Sequence, residues 1–326
     1  MIDFAVIGTS NITYEFVSAA LNTGRYSLKA VYSRTYEKGS EFAAKFGCKK
    51  VFTSLLDLAN DKSISTVYVA SPNAVHYEQC KLILEHSKNV ICEKTITGTP
   101  QEFLELKEIA DKNGVIIVDA IMSRYSVGRE PIKYAIGKIG NIIRARIDFS
   151  KISSRYYNFL NGEDVNIFNM KLGGGALMDL GVYCVYAALD LLGIPQSISA
   201  KATFLRGGAD GEGTAVFRYD GFEAVLTYSK IADSTVASEI IGENGTVKIG
   251  QISQFIDASL VTANHTEKLV GMAQKIDVMM GEAVAFANLI EFGAKNAKTY
   301  KDISQLTYNV LLFMEEIKLA ANIKYH

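Results

Sequence analysis

The first 120 residues alternate between short apolar runs and helical patterns, and this alternation constrains the fold more than any other feature of the chain. Ile2–Ile7 is an apolar run of strand length, and a helical pattern follows it from about Ile12 to Asn22. The same order recurs, with further strands predicted at Ser27–Tyr32, Val51–Phe52, Ser65–Ala70, Asn89–Cys92 and Val115–Ala120. This succession predicts a doubly wound parallel sheet with helices on both faces. Ligands of such sheets bind beyond the carboxyl ends of the strands, so the residues that follow each strand are the first candidates for a site.

The second half of the chain has a different pattern. Helical patterns surround Pro131–Ile136, Ala176–Leu192, Gly281–Phe292 and Ile303–Ala321. Strands are predicted at Ile142–Phe149, Ser197–Phe204, Thr214–Tyr219, Phe222–Tyr228, Ser238–Ile241 and Thr246–Ile249. Asp220-Gly221 and Asn244-Gly245 are strong hairpin signals, so most of these strands are expected to be antiparallel. We therefore predict an α/β chain with two domains, residues 1–121 around the parallel sheet and residues 122–326 around an open, mostly antiparallel sheet.

Composition and charge exclude several classes of protein. The net charge of −1 provides no basic excess for nucleic acid or for an anionic membrane surface. No apolar run reaches the roughly 20 residues of a membrane span, and no signal peptide is predicted. The four cysteines lack Cys-x-x-Cys spacing and the chain has no His cluster, so we expect reduced thiols, no bound metal and a cytoplasmic location.

The turn after the first predicted strand reads Gly8-Thr9-Ser10-Asn11-Ile12-Thr13. The dinucleotide fingerprint Gly-x-Gly-x-x-Gly/Ala is matched only at Gly8, with Ser10 and Thr13 at the other two small positions. A strand precedes this turn and a helix follows it, and a helix N-terminus offers backbone N–H groups to a pyrophosphate. A plain strand-to-helix turn is the alternative, but we favour a cofactor turn that includes Gly8, Ser10, Asn11 and Ile12.

The residues after the second predicted strand bear on which dinucleotide is bound. A carboxylate at this position would favour NAD(H), because it accepts hydrogen bonds from the ribose 2′-hydroxyl. This chain instead has Ser33 and Arg34, with Lys38 one turn later, and these groups suit a 2′-phosphate. A solvated arginine in a loop is the alternative. We predict a preference for NADP(H), with NAD(H) as the weaker cofactor.

Two further strand ends carry polar residues. Ser71, Pro72, Asn73 and His76 follow the fourth strand, and we expect this loop to face the nicotinamide side of the cofactor. His76 by itself is more typical of a structural residue. Glu93-Lys94 ends the fifth strand, and both residues are candidates for contacts with the cofactor. The ammonium of Lys94 could also polarise a carbonyl oxygen or lower the pKa of a neighbouring group; an ordinary surface lysine is equally consistent with the sequence.

The run from Gly173 to Tyr183 is the most specific local feature of the chain. Three glycines precede a helical pattern and allow the backbone to approach a ligand closely. Asp179 and Tyr183 are four residues apart and therefore share one face of a helix. A tyrosine hydroxyl can exchange a proton with a developing alkoxide if a nearby cation lowers its pKa. A core tyrosine beside a structurally bonded aspartate is the alternative.

In combination, these segments and Met122-Ser123-Arg124-Tyr125 resemble the glucose–fructose oxidoreductase / inositol dehydrogenase (Gfo/Idh/MocA) family over nearly the whole chain. The Gly173–Tyr183 run is similar to the branch that holds glucose–fructose oxidoreductase and dimeric dihydrodiol dehydrogenase. The resemblance implies that Lys94 matches the lysine of a Glu-Lys-Pro motif, Asp179 a substrate-site aspartate and Tyr183 the proton donor or acceptor. It also implies a homodimer or higher homo-oligomer through the C-terminal sheet.

The implied activity is hydride transfer between NADP(H) and a carbinol or carbonyl carbon of a small sugar, polyol or dihydrodiol, without a metal. Thr95 departs from the family motif by replacing its proline, which often forms a cis peptide, so a different backbone is expected at Lys94. A non-catalytic NAD(P)-binding sensor on the same fold is the alternative. Weaker candidates for substrate contacts are Arg124, Tyr125, Arg155, Tyr156 and Asn169.

Overall fold

The computed structural model describes residues 1–293 and 297–324. The chain forms two compact units: residues 1–120 together with 274–308, and residues 121–273 together with the segment from 309 onwards. The change of unit at residue 120 lies one residue from the predicted domain boundary. The predicted second domain was nevertheless one continuous segment, whereas residues 274–308 return to the first unit. Helical periodicity marks a buried face but does not say which partner covers it, so this return could not be predicted.

The first unit is built on a six-stranded parallel sheet with the order β3-β2-β1-β4-β5-β6. Its strands are β1 (Ile2–Ile7), β2 (Tyr26–Tyr32), β3 (Val51–Phe52), β4 (Thr66–Val69), β5 (Asn89–Glu93) and β6 (Ile117–Ala120). Its helices are α1 (Asn11–Asn22), α2 (Tyr36–Ala44), α3 (Leu55–Asn60), α4 (His76–Glu85), α5 (Pro100–Lys112) and α10 (Lys275–Phe292), and it also contains the first part of α11 (Ala297–Ala321). The predicted doubly wound sheet is confirmed.

The strand order of this sheet reverses between β1 and β4. The chain runs outwards from β1 through β2 to β3 and then returns to place β4 on the other side of β1. The first connections therefore leave β1 and β4 in opposite directions and open a crevice at their carboxyl ends. This switch point is where sheets of this type bind their ligands.

The second unit contains an eight-stranded sheet with the order β14-β13-β12-β11-β7-β10-β9-β8. All pairs are antiparallel except β7 with β10, which is parallel. The strands are β7 (Ile142–Ser150), β8 (Ser197–Phe204), β9 (Asp210–Arg218), β10 (Glu223–Ser229), β11 (Ser238–Gly242), β12 (Gly245–Gln251), β13 (Ile256–Val261) and β14 (Thr266–Val270). The helices are α6 (Met122–Tyr125), α7 (Arg129–Ile136), α8 (Tyr156–Leu160) and α9 (Val182–Leu192). This sheet confirms the predicted open, mostly antiparallel architecture.

Turn chemistry predicted the hairpins of this sheet correctly, but two strands were missed. Asp220-Gly221 joins β9 to β10, and Asn244-Gly245 joins β11 to β12, as expected. β13 and β14 had no prediction. β14 has the sequence Thr-Glu-Lys-Leu-Val and lies at the edge of the sheet, where side chains are exposed and an apolar alternation is not required.

The helical stretch Met170–Leu192 is long and apolar enough to cross a membrane by composition alone, although no such run was predicted. Most of this stretch is buried inside the protein, as is usual for the core helix of a soluble protein. The cytoplasmic location stays a prediction.

Asp190, near the end of α9, is a buried acidic residue that the sequence analysis did not single out. Its side chain is only 6 % exposed and accepts a 2.6 Å hydrogen bond from Nε of Arg129. Burial alone would raise the pKa of Asp190, but Arg129, Lys133 and Arg124 lower it below its usual range.

The eight-stranded sheet exposes a polar rather than an apolar face. Exposed positions on β8 include Lys201 and Thr203, and Arg218 of β9 pairs with Glu223 of β10 at 3.0 Å. Charged pairs of this kind are stable in water and do not by themselves require cover. The homodimer through this sheet stays a prediction.

Candidate active site

The predicted cofactor residues of the first unit lie along one edge of the parallel sheet. Gly8 follows β1, Ser33 follows β2, Ser71 lies two residues after β4, and Glu93 ends β5. These four strands are neighbours in the order β2-β1-β4-β5, so their carboxyl ends are adjacent. The strand ends in the sequence thus correctly predicted that these residues lie at one edge of the sheet, although Gly8 and Glu93 are 85 positions apart in the chain.

The turn at Gly8 is tight and lies against the main chain of the neighbouring strand end. Gly8 has a φ of 108°, and a Cβ atom at this position would lie 2.6 Å from the carbonyl oxygen of Ala70. Ser10 is the N-cap of α1 but makes no capping bond with its side chain, and its hydroxyl instead pairs with that of Thr13 at 3.1 Å. The first-turn amides of α1, which include those of Asn11 and Ile12, therefore have no hydroxyl cap from Ser10. The turn fits a pyrophosphate bound through backbone N–H groups.

The loop after β2 presents two cations to solvent. Ser33 is buried, and its backbone N–H donates to the carbonyl oxygen of Phe52 at 3.1 Å. Arg34 and Lys38 are exposed, and Lys38 lies in the first turn of α2. The only carboxylate in the first turn of α2 is that of Glu37. This edge of the sheet therefore combines a hydroxyl group with two exposed cationic side chains.

His76 connects two loops of the first unit. Its Nδ1 lies 2.9 Å from the carbonyl oxygen of Thr95, and its Nε2 lies 2.8 Å from that of Ser71. Burial lowers the pKa of His76, and the two carbonyl groups oppose this shift. Both ring nitrogens face backbone acceptors, so the geometry supports a structural role in which His76 connects the Ser71 loop to the segment after Lys94.

The peptide bond between Lys94 and Thr95 is cis, the form that the motif's proline often takes, so the expected change of backbone is not observed.

Glu93 and Lys94 are adjacent in sequence but occupy different environments. The Glu93 carboxylate is buried and accepts a 2.6 Å hydrogen bond from the Tyr68 hydroxyl, whereas Lys94 is only half-buried. Burial raises the pKa of Glu93, and the bond from Tyr68 opposes this shift. Glu93 therefore lies within the unit, and its contact with the cofactor stays a prediction. The alternation of a strand explains why Glu93 is more buried than Lys94, since successive side chains point to opposite faces.

A second buried glutamate near Glu93 was not predicted. Glu282 of α10 is 1 % exposed, and its Oε1 has no hydrogen-bond partner among the described residues. Burial raises the pKa of Glu282 well above its usual range, and the charges of Glu93 and Asp119 raise it further. Only its apolar surroundings on α10 could have indicated this burial, and a glutamate in an amphipathic helix is ordinarily assigned to the exposed face.

We expect Glu282→Gln to stabilise the protein more at pH 8 than at pH 5. The folded protein holds the Glu282 proton more tightly than the unfolded chain, so wild-type stability falls as pH rises above about 4.3, the pKa of a free glutamate. One such proton contributes at most about 1.4 kcal/mol per pH unit, and glutamine removes this loss. Urea unfolding at both pH values measures the effect. The exposed Glu108→Gln is the control, and an equal effect of Glu282→Gln at both pH values would contradict the assignment.

In the second unit, Asp179 lies on a wider, π-helical turn, Leu177–Gly181, that leads into α9, so the predicted single α-helix from 176 to 192 is interrupted. π-helical turns are rare and frequently occur at functional sites. Tyr183 follows in the first turn of α9, is 6 % exposed, and packs edge-to-face against Phe149 with ring centroids 5.5 Å apart. The two predicted catalytic residues of this unit thus lie on consecutive turns, Asp179 on the π-helical turn and Tyr183 on the first turn of α9.

Two buried residues hold this turn in place. The carboxylate of Asp210, which is fully buried, accepts a 2.6 Å hydrogen bond from the backbone N–H of Leu177. The Tyr228 ring lies beneath the turn, where a Cβ atom at Gly181 would come within 3.1 Å of it. A side chain at position 181 would therefore require a small shift of the Tyr228 ring or of the turn that carries Asp179.

Lys230 is the functional candidate that sequence analysis missed in this unit. It directly follows β10, and its ammonium forms an ion pair with the carboxylate of Asp179. Nothing local marks it, because Lys230 and Asp179 are 51 positions apart in the chain.

The weaker substrate candidates are distributed over the second unit. Arg124 and Tyr125 lie on α6 and are half-buried. Tyr156 packs edge-to-face against Phe168 at 6.1 Å, within an aromatic cluster. Arg155 is exposed, and the side-chain oxygen of Asn169 accepts a hydrogen bond from the N–H of Lys171 at 3.0 Å. Packing in the core and local capping therefore account for Tyr156 and Asn169.

Comparison with known proteins identifies the class first. Residues 2–120 match the oxidoreductase family model with an NAD-binding Rossmann fold, and residues 134–248 match the GFO/IDH/MocA C-terminal domain. The chain is thus an NAD(P)-binding oxidoreductase with a Rossmann domain. It belongs to the Gfo/Idh/MocA family, as the sequence motifs had indicated.

Named relatives support this assignment. The chain is 38 % identical to the uncharacterized oxidoreductase YgjR of Escherichia coli (strain K12), over 89 % of each protein. It is 36 % identical to scyllo-inositol 2-dehydrogenase (NADP(+)) IolU of Bacillus subtilis (strain 168), over 100 % of this chain and 98 % of the relative. A solved structure of the 3-ketoreductase KijD10 from Actinomadura kijaniata, in complex with NADP and TDP-benzene, has the same fold, with a TM-score of 0.87, 21 % identity and 98 % of both chains covered. The relatives with named activities are enzymes, so the non-catalytic alternative finds no support among them.

Proposed function

We propose that this enzyme is an NADP(H)-dependent dehydrogenase that oxidises a carbinol carbon of a small neutral polyol, a cyclic polyol in the first instance. The assignment of NADP(H) as the cofactor rests on the residues after β2, where the chain has Ser33, Arg34 and Lys38 at the position of the carboxylate that would favour NAD(H). The assignment of a polyol as the substrate is supported by the relative IolU, which matches the whole chain and is named for scyllo-inositol and NADP(+). Sugars and dihydrodiols remain within the proposed class.

The residues of the first unit have a binding role in this proposal. The first-turn amides of α1 hold the pyrophosphate, and the close approach of Gly8 to Ala70 leaves room for it. Arg34 and Lys38 bind the 2′-phosphate through charge-assisted hydrogen bonds, and Ser33 lies beside them. When bound, NADP supplies the acceptor or donor of the hydride.

The remaining residues position the substrate and move the proton. The ammonium of Lys94 donates to the oxygen of the reacting carbinol and stabilises negative charge as it develops there. Asp179 accepts a hydrogen bond from a substrate hydroxyl. As the tyrosinate, Tyr183 takes the carbinol proton during oxidation, and as the neutral hydroxyl it returns that proton during reduction. Each role uses a group that can be removed by a nearly isosteric substitution.

The test is steady-state oxidation of scyllo-inositol with NADP+ and with NAD+, carried out on wild type and Arg34→Ala. We expect wild type to favour NADP+, and Arg34→Ala to lower kcat/KM for NADP+ by about tenfold to a hundredfold, since a hydrogen bond to a charged group contributes about 1.5–3 kcal/mol. The value for NAD+ should change little, because NAD+ lacks the 2′-phosphate.

Lys62→Ala, which removes an exposed cation just before β4 and hence at the opposite edge of the sheet, is the matched control. Equal losses for NADP+ and NAD+ in Arg34→Ala would remove the cofactor assignment. Absence of turnover with scyllo-inositol and with other neutral polyols, sugars and dihydrodiols would refute the substrate class.

A further inference from the structure

The ion pair between Lys230 and Asp179 has one buried and one accessible partner. The Lys230 side chain is 6 % exposed, whereas that of Asp179 is 33 % exposed. A ligand that approaches this pair therefore meets the carboxylate first, with the ammonium behind it. Both residues belong to the second unit, so this geometry is contained within one compact body.

The main chain fixes the position of Lys230. Its backbone N–H donates to the carbonyl oxygen of Gly211 at 2.8 Å, and its own carbonyl oxygen accepts from the N–H of Ser153 at 2.9 Å. The backbone of Lys230 is therefore anchored between two segments, so its side chain starts from a fixed position. A buried ammonium is costly unless an opposite charge accompanies it, and Asp179 supplies that charge.

The backbone of Asp179 is fixed by the helical turn that carries it. It lies on the π-helical turn held by Asp210 and packed over Tyr228, so its backbone position is set independently of Lys230. The carboxylate is thereby oriented by two rigid elements. A preoriented carboxylate binds a hydroxyl group without first losing conformational freedom.

We propose that Lys230 is a positioning residue, which orients Asp179 as a hydroxyl acceptor, and that the resulting ion pair restricts the enzyme to uncharged polyols. This inference deepens the proposed function and rests on its assignment of Asp179 to the substrate. The pair carries no net charge, and its exposed member is an anion. A neutral hydroxyl donates to that anion, whereas the carboxylate or phosphate of a sugar acid or sugar phosphate is repelled by it.

The experiment compares wild type with Lys230→Met, Lys230→Arg and Asp179→Asn, all loaded with NADPH for the binding measurements so that the polyol is not oxidised during the titration. Calorimetry measures the dissociation constants of scyllo-inositol and of the matched pair glucose and glucuronate, which differ only in a carboxylate. Steady-state oxidation of scyllo-inositol gives kcat and KM separately. Lys248→Met, which removes an exposed lysine 3.7 Å from Glu239, is the control for loss of an ion pair in the same unit.

We expect Lys230→Met to weaken scyllo-inositol binding and to raise KM by about tenfold or more, while Lys230→Arg keeps both values within about threefold of wild type. Wild type should bind glucose in preference to glucuronate, and Asp179→Asn should narrow or reverse that preference because the ammonium then stands without the anion. Lys248→Met should change none of these values.

The double variant Lys230→Met/Asp179→Asn guards against misfolding, since it removes both members of this ion pair and leaves neither without the other. It should fold and should show no selection against glucuronate. Unchanged KM and unchanged selectivity in Lys230→Met would overturn the role of Lys230 while leaving the proposed function intact. If wild type neither oxidised nor bound any neutral polyol, the proposed function and this role would both be wrong.

Discussion

Replacing Tyr183 by phenylalanine is expected to lower kcat for polyol oxidation by about 10²–10⁴-fold, the usual contribution of a general acid–base group. The substitution removes only the hydroxyl. The ring is 6 % exposed and packs against Phe149, and phenylalanine retains that packing. NADPH binding, followed by nicotinamide fluorescence, should be unchanged. A loss in kcat with intact cofactor binding would identify the hydroxyl as the proton-transfer group.

Tyr186→Phe is the matched control for this prediction. Tyr186 lies three residues further along α9 and is 4 % exposed, so the same atom is removed from a comparably buried tyrosine. We expect its kcat to stay near the wild-type value. If Tyr183→Phe retained full activity, or if both variants lost activity equally, Tyr183 would have no specific part in proton transfer.

The second large effect is expected for Gly8→Ala. A methyl group at this position would lie 2.6 Å from the Ala70 carbonyl oxygen, and the φ of 108° is one that alanine rarely adopts. Backbone strain of this kind costs about 1–3 kcal/mol, and the contact with a neighbouring main chain adds to it. We expect a loss of stability of at least about 2 kcal/mol in urea unfolding. The affinity for NADPH should fall by more than tenfold.

Gly24→Ala separates the two causes. Gly24 also has a positive φ, of 69°, but nothing lies within 4 Å of the Cβ position. This variant should show only the backbone cost, about 1 kcal/mol, and normal NADPH affinity. Similar results for Gly8→Ala and Gly24→Ala would mean that the approach of Gly8 to Ala70 does not shape the cofactor turn.

The parts of the fold that follow from local chemistry were predictable. Each buried parallel strand is a short apolar run, and the Asp220-Gly221 and Asn244-Gly245 turns require positive φ angles that few other residue pairs accept. The strand ends predicted where the loops of Gly8, Ser33, Ser71 and Glu93 would meet, because parallel strands place their carboxyl ends at one edge. A single sequence did not reveal the strand order.

The features that depend on distant partners could not be predicted. In the sequence, Lys230 is only a lysine that follows a predicted strand, and nothing indicates that Asp179 forms an ion pair with it. Asp190 resembles a surface residue in the same way, because its partner Arg129 is distant in the chain. The glutamate of α10 at position 282 is likewise indistinguishable from an exposed one until the rest of the unit encloses it. These ion pairs and buried acids are products of tertiary packing, which periodicity does not describe.

The assignment of residues 274–308 to the first unit has a consequence for how the protein is made. Within that unit, Tyr26 donates to the carbonyl oxygen of Ala283 at 2.7 Å, and Arg25 donates to the side chain of Asn288 at 2.7 Å. These contacts cannot form until the ribosome has completed most of the chain, since domains assemble as their residues emerge. A nascent chain that ends near residue 120 therefore presents an unfinished Rossmann unit, and residues 121–273 of the second unit are synthesised before the first unit is closed. For this enzyme, the N-terminal 120 residues are the first to begin folding and among the last to finish.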